Sequence, residues 1–451
     1  MAIQQGGGGT LTGQGPGTTA TTGTTGTSGT TGTTGTTGTT GTTGTTGTTG
    51  SKGKGGSGSV PVAKGGGCSA TSANNGGKTD VGVTATSINL ANISDISGPV
   101  PGLFKSAEEA GKAFELYYNS TNPSGICGRQ LHVDAYDSQT DSNGNRTTTE
   151  QASGKDFALV GGISAYDNGG APVVQSKKLP DIPAAAVTGA RQSSSYTYAA
   201  ESTNEHYISS AIPDYFKGPG KHAAFLYINL GAAAENGPKD VEAYQADGFN
   251  FGSDVYAVPV QSATTQGFKP YVQKMKSHGV TFVQFLGAYQ EAADLAQAMQ
   301  QSSFKPPAYL LDPTGYNPQY IQLAGAAGAN TYIYDPALPL TDSNAELQTY
   351  TTWLQRAGFS DPPTFFGQFA WSAMRLFTQL AAKAGPHLTR ATIVNQLKQI
   401  RGWTDLGMHA AFDVGLKMSG KCLLFLQVQG NNFVRKYPST GYACGHLIYA
   451  K

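Results

Sequence analysis

The sequence offers few residue combinations that could carry out a reaction. It contains no Gly-x-Ser-x-Gly nucleophile elbow, no His-Glu-x-x-His zinc motif, no Gly-x-x-x-x-Gly-Lys-Ser/Thr phosphate loop and no Cys-x-x-Cys pair. The histidines, among them His132, His206, His222, His278 and His409, are scattered without the spacing of metal ligands, and we expect each to be solvated or packed in the core. We therefore predict no catalytic residue, no metal and no cofactor. An enzyme whose active-site residues are distant in sequence stays open as an alternative.

Several strand ends could instead form a binding site for a small molecule. Ser164, Ala165 and Tyr166 lie where a predicted strand passes into a helix, so the serine hydroxyl and nearby amides could hold a polar or acidic ligand group. Small side chains let a ligand approach the backbone, and an aromatic ring can close a cleft. The predicted ligand-binding residues are Ser97, Ser164, Ala165, Tyr166, Ala185, Ala186, Ala288, Tyr289, Asp312 and Thr314.

Structural explanations compete with binding at several of these positions. Ser164 could simply cap the helix that follows it. Ala185 and Ala186 could reflect close packing between elements, and Asp312 could cap a turn. The sequence leaves both explanations open.

The elements that would position these residues follow a regular order. From about residue 80 onward, short apolar runs alternate with helix-like segments, which is typical of βαβ units around a parallel sheet. The first unit has a strand at Ser87–Ser94 and a helix over residues 106–119, with Ser106 and Glu109 spaced as a capping box. The pattern starts again near residue 221, with a helix predicted to begin at Pro238. Longer helices and a C-terminal hairpin follow. This order predicts an α/β protein.

Residues 1–67 cannot contribute to a core. They are mostly Gly, Thr and Ser with scarcely any large apolar side chain, so we predict a disordered tether. Lys plus Arg (30) nearly balances Asp plus Glu (29), which disfavours nucleic acid as a partner. No run of apolar residues is long enough to span a membrane.

The cysteines bear on the compartment. Cys422 and Cys444 flank the predicted hairpin, which leaves Cys68 and Cys127 as the other pair. Disulfides would indicate an oxidising compartment, and four buried thiols are the alternative. The first ten residues do not resemble a signal peptide, so the sequence fits a cytoplasmic protein, a chain without its signal, or a start site placed too far downstream.

The order of segments resembles the type I periplasmic-binding-protein fold, in particular the Leu/Ile/Val-binding branch of the ABC-transporter substrate-binding proteins. The resemblance covers roughly residues 82–437. It rests on the turns Ser97-Gly98-Pro99 and Leu311-Asp312-Pro313-Thr314-Gly315, on Val160-Gly161-Gly162-Ile163-Ser164 before a helix, and on Pro180-Asp181-Ile182-Pro183.

The resemblance implies two Rossmann-like lobes joined by a three-strand hinge. Lobe one would comprise residues 80–200 plus about 330–410, and lobe two residues 201–329 plus about 411–451. The chain would close around a small molecule and present it to a membrane permease outside the cytoplasm. A ligand-binding sensor for a signalling partner is the alternative output.

One departure from the family bears on the ligand. Amino-acid-binding members place a carboxylate for the ligand's ammonium group where Thr314 stands here, and Asp312 is one substitute. The aromatic residues near the expected cleft favour a ligand with apolar or ring surface. The resemblance therefore leaves an amino acid, an amide or an aromatic compound open.

Overall fold

The structure is a computed structural model that describes residues 68–451, so the predicted tether over residues 1–67 lies outside the described residues. Its strands are β1 Ser87–Ser94, β2 Gln130–Asp137, β3 Ala158–Val160, β4 Asp181–Ile182, β5 Tyr207–Ser209, β6 Ala223–Ile228, β7 Val255–Val258, β8 Phe282–Leu286, β9 Ala308–Leu311, β10 Tyr332–Asp335, β11 Cys422–Gln429, β12 Asn432–Tyr437, β13 Ala443–Cys444 and β14 Leu447–Tyr449. Its α-helices are α1 Lys105–Thr121, α2 Ser142–Lys155, α3 Ala171–Lys177, α4 Gly189–Ser193, α5 Ala211–Tyr215, α6 Gly231–Ala246, α7 Thr265–Ser277, α8 Tyr289–Gln301, α9 Pro318–Ala324, α10 Ala345–Arg356, α11 Phe365–Ala384 and α12 Arg390–Leu397.

The first sheet is parallel and has the order β2-β1-β3-β4. Its central strand β1 is buried at Ile88, Leu90 and Ala91. Helix α1 packs against α11, where Phe114 meets Trp371 edge to face with ring centroids 4.8 Å apart. The long helix α11 is apolar on nearly all sides because it is enclosed by neighbouring elements.

The second sheet has the order β12-β11-β10-β9-β8-β6-β7. Strands β6 to β10 are parallel, and β11 and β12 add an antiparallel hairpin at one edge. The short strands β5 and β14 form a separate antiparallel pair. The α/β class with parallel-type sheets, predicted from the alternation of segments, is therefore confirmed.

Three connections join the regions around the two sheets. The first follows β4, where Glu201 N donates to Ala184 O at 2.9 Å. The second begins after β10, which still pairs within the second sheet. The third precedes β11, and Ser419 on it accepts a hydrogen bond from Asn204 N at 2.8 Å. These hydrogen bonds hold adjacent connecting segments side by side.

Local expectations fail at three helices. Helix α1 begins at Lys105, so Ser106 lies inside it, and the N-cap Phe104 makes no side-chain hydrogen bond; the predicted capping box is wrong. Helix α6 begins at Gly231, seven residues before Pro238, which lies within the helix. Helix α2 was not predicted, since its sequence SNGNRTTTEQASGK has almost no apolar periodicity.

Both predicted cysteine pairs are disulfides. Cys68 joins Cys127, and Cys422 joins Cys444 across the β11–β13 pair. The first bond ties the beginning of the described chain to the loop before β2, and the second closes the C-terminal edge of the second sheet. No helix in residues 68–451 has the length and apolar character needed to cross a membrane.

Candidate functional site

A cavity of about 360 Å³ lies between the carboxyl ends of the strands of both sheets. Its walls come from the loops after β1, β3 and β4 on one side, and from the loops after β6, β8 and β9 on the other. Loops at the carboxyl ends of parallel strands are where α/β proteins bind ligands. The volume falls in the usual range for small-molecule sites, which is roughly 300 to 1,000 Å³.

Most of the cavity wall is apolar. Phe104, Phe365 and Phe366 line the side of the first sheet, and Ile228 and Leu286 line the side of the second. The other large apolar side chains of the wall are Val100, Leu103, Val187, Ile208, Ile212, Leu230, Val260, Phe412 and Leu423. A ligand in this cavity would bury most of its surface against hydrocarbon and rings, which is a favourable exchange for apolar groups.

Seven of the ten predicted binding residues come together at this cavity. They are Ala165, Tyr166, Ala185, Ala186, Ala288, Asp312 and Thr314. All are in loops that follow β3, β4, β8 or β9. Their roles in binding remain predictions, but their shared position follows from the parallel strand order.

The other three predicted residues do not line the cavity. Ser97 is exposed and donates through its backbone N–H to Asp137 Oδ1 at 3.1 Å. Ser164 is fully buried, and its hydroxyl accepts a hydrogen bond from Tyr166 N at 3.1 Å, so it caps the turn at this strand end. Tyr289 begins α8, is 6% exposed, and directs its hydroxyl to the side-chain oxygen of Gln319.

Backbone amides near the cavity are already hydrogen-bonded within the protein. Ala165 N donates to Asp95 Oδ2 at 2.8 Å, and Ala288 N donates to Glu291 Oε2 at 2.9 Å. Burial raises the pKa of both carboxyl groups, that of Glu291 to about 7. These amides were expected to be free for an acidic ligand group. They are occupied instead by side-chain carboxylates of the protein.

Helix α6 contacts the loops of the first sheet beside the cavity. Ala232 N donates to Ala165 O at 3.0 Å, and Asn236 Nδ2 donates to Val187 O at 3.0 Å. Gly231, with φ of 54°, comes so close to Ala165 that an added Cβ would lie 2.9 Å from its carbonyl oxygen. The two sides of the cavity therefore touch at the start of α6, while exposed lining residues such as Leu230 and Val260 leave part of the cavity open to solvent.

Two acidic residues of the cavity escaped the sequence analysis. Glu201 lies on the first connection, directly after the predicted hinge point at Ala200, and Asp240 lies in the middle of α6. The position of Glu201 beside that hinge point was a usable signal. The sequence contained no such signal for Asp240, because the predicted helix gave no indication of which of its faces meets the cavity.

Comparisons with known proteins agree with this arrangement. A family model for the periplasmic binding proteins matches residues 87–432. The chain therefore belongs to the periplasmic binding protein family, whose type I fold the sequence resembles. No curated protein matches the sequence significantly.

Solved structures share the fold at low sequence identity. A fatty acid ABC transporter substrate-binding protein from Thermomonospora curvata has a TM-score of 0.67 and 17% identity, covering 80% of this chain and 94% of that one. The branched-chain amino acid transporter substrate-binding protein LivJ from Streptococcus pneumoniae, solved with isoleucine, has a TM-score of 0.64 and 15% identity, covering 78% and 100%. An ABC transporter solute-binding protein from R. palustris, solved with 4-hydroxybenzoate, has a TM-score of 0.63 and 17% identity, covering 81% and 97%.

Proposed function

We propose that this protein is an extracytoplasmic solute-binding protein that captures a small molecule between two lobes and presents it to an ABC-type transporter. The observation that carries the proposal is the mostly apolar cavity at the carboxyl ends of both sets of parallel strands. Solved relatives of the same fold are described as transporter substrate-binding proteins. We propose no catalytic activity.

The lobes follow from the sheets. Lobe one would consist of residues 80–200 and the helices α10 to α12, and lobe two of residues 201–335 and about 411–451. Because β10 pairs with β9, its four residues belong with lobe two, and the second crossing would follow Asp335 and not lie near Ala329.

Hinge closure is the proposed mechanism. A ligand that touches both walls is bound better by the closed state than by an open one, so it shifts the population toward the closed state. The hydrogen bonds from α6 to Ala165 and Val187 would form only on closure. The membrane permease would then recognise the closed form.

An oxidising compartment is supported by the two disulfides, because such bonds persist outside the reducing cytoplasm. Export to the periplasm or the cell surface is therefore part of the proposal.

Thermal unfolding of the full chain against a library of amino acids, amides, fatty acids, aromatic acids and amines tests the function. A compound that binds only the native state raises the unfolding temperature in a saturable way. Ala233→Trp would fill the cavity that Ala233 lines and should abolish the rise. Ala246→Trp places the same side chain at the exposed end of α6 and should keep it. A rise that survives Ala233→Trp would contradict binding in this cavity.

A further inference from the structure

We propose that the ligand is a small apolar amine, held as a cation by Glu201 and Asp240, and that it carries no carboxylate. This inference rests on the proposed function and names the chemical class that the cavity accepts. It follows from which polar groups of the wall already have partners and which do not.

Five carboxyl side chains line the cavity, and three of them have partners in the protein. Glu205 forms an ion pair with Lys239 at 2.6 Å. Glu291 accepts a hydrogen bond from Ala288 N, and Asp312 accepts one from Thr314 Oγ1 at 2.6 Å. Glu201 and Asp240 line the same cavity without a hydrogen-bond or ion-pair partner in residues 68–451.

No basic side chain of the described residues lines the cavity. Above about pH 7, where Asp240 and then Glu201 ionise, a carboxylate ligand would therefore enter a space with unpaired negative charges and no counter-charge, which is unfavourable. Two backbone amides that could have offset this, those of Ala165 and Ala288, are bonded to Asp95 and Glu291. The wall thus disfavours an anion and offers two free acceptors to a cation.

A serine beside Glu201 points to the same kind of occupant. Ser202 is 3% exposed and lines the cavity, and its hydroxyl has no partner among the described residues. Buried polar groups usually have a partner, so the Ser202 hydroxyl is free to bond to a ligand in the cavity. An ammonium group has three donors and suits two carboxylates and a hydroxyl. In the described chain, the acidic side chains do not converge as a metal site, which favours an organic cation over a metal ion.

The protonation of Glu201 and Asp240 should change when a cation binds beside them. Burial raises the pKa of Glu201 to about 8 and those of Asp240 and Asp312 to about 7, and the charge of Asp312 adds to the rise for Glu201 and for Asp240. Tyr334, Tyr244 and Asp335 are the other titratable groups close to them. The nearest cations are engaged elsewhere, Lys239 with Glu205 and Arg435 with Asp342.

A bound ammonium would lower these pKa values and release protons. Amine affinity should therefore rise as the pH increases from 6 to 8 and carboxyl groups ionise.

A charge-matched series tests the inference on the full chain. The probes are 2-phenylethylamine, 2-phenylethanol and phenylacetate, which share a ring and chain length but carry positive, zero and negative charge. Hexylamine, hexanol and hexanoate repeat the comparison without a ring. Calorimetric titration at pH 8 should show the amine binding at least tenfold more tightly than the alcohol in one or both sets, and no binding of the acid. The amine should bind about tenfold more weakly at pH 6.

Two variants identify the recognising groups. Glu201→Gln and Asp240→Asn should each weaken amine binding about tenfold and leave alcohol binding unchanged, which also shows that the variants are folded. Glu150→Gln removes an exposed carboxylate paired with Arg146 and should change neither the affinity for the amine nor that for the alcohol.

Failure of the amine assignment and failure of the proposed solute-binding function give different results. An acid that binds as tightly as its matched amine, and that Ala233→Trp excludes, would overturn the amine assignment while leaving the solute-binding function intact. If neither amine binds, the amine assignment is also overturned. The proposed solute-binding function fails only if no compound of the wider library binds the parent protein in a way that Ala233→Trp abolishes.

Discussion

At the scale of single residues, the cavity combines positions that the sequence identified with others that it could not. Ala185, Ala288 and Thr314 were found because each follows a recognisable strand, and parallel strands end at the same edge of a sheet. Ser164 does not line the cavity, and its hydroxyl accepts a hydrogen bond from Tyr166 N, as in the cap that the sequence left open as an alternative; a cap and a ligand contact need the same residue type at a strand end. Glu201 and Asp240 are 39 positions apart in sequence, and only the tertiary structure brings them to one wall.

Glu201 should destabilise the ligand-free protein at high pH. Its pKa is about 8 in the folded state because of burial, against roughly 4.3 in an unfolded chain. The folded state therefore loses stability as the pH rises from 4 to 8 and the carboxyl group ionises in the unfolded chain first. Glu201→Gln should leave the free energy of unfolding nearly unchanged at pH 4.5 and raise it by up to about 5 kcal/mol at pH 9.

Denaturant unfolding at the two pH values measures this difference. Glu150→Gln should show no comparable gain at pH 9, since its carboxylate is half exposed. If Glu201→Gln were less stable than the parent protein at pH 9, the account of an unpaired acid in the cavity would be wrong.

At the scale of elements, periodicity predicted the strands well and the helix ends less well. Strand β1 occupies the predicted residues Ser87–Ser94 because its apolar run is bounded by polar and turn residues. Helix α2 escaped because it buries Asn145, Thr149 and Ala152, which carry no apolar signal, and is capped by Asp141. Helix α6 begins before Pro238 because its first turn packs against the loops of the first sheet, a contact that local propensity does not encode.

Gly231, the first residue of α6, should be required for closure. An added Cβ would be 2.9 Å from Ala165 O, closer than such atoms normally approach, and the residue has φ of 54°. Gly231→Ala should cost about 1 kcal/mol from the backbone conformation and also weaken affinity for a ligand from the thermal screen about tenfold, because the two sides can no longer meet. Calorimetric titration measures the affinity.

Gly252 provides the matched control. It has nearly the same φ, 52°, but an added Cβ would meet nothing within 4 Å. Gly252→Ala should therefore reproduce the loss of stability without the loss of affinity. Equal affinities for the two variants would show that the contact with Ala165 does not contribute to closure.

At the scale of the whole molecule, the alternation of strands and helices was enough to predict an α/β protein, while the site between two lobes was implied by the resemblance to the type I fold, which the family model and solved structures confirm. The lobe boundaries stay a prediction. The sequence could not show that the amides expected to hold an acidic ligand group are occupied by buried carboxylates, because those hydrogen bonds join residues such as Asp95 and Ala165, 70 positions apart.

The measurement that tests the central claim most directly is the distance between the two lobes in solution. Spin labels at Lys177→Cys on α3 and Lys274→Cys on α7 report it, since both positions are exposed and the four native cysteines are paired. We expect pulsed electron paramagnetic resonance to show a broad distribution without ligand. A saturating ligand from the thermal screen should narrow the distance distribution to its short end, which corresponds to the closed state. Ala233→Trp should prevent that narrowing. A distribution that a saturating ligand leaves unchanged would contradict capture by closure of the two lobes.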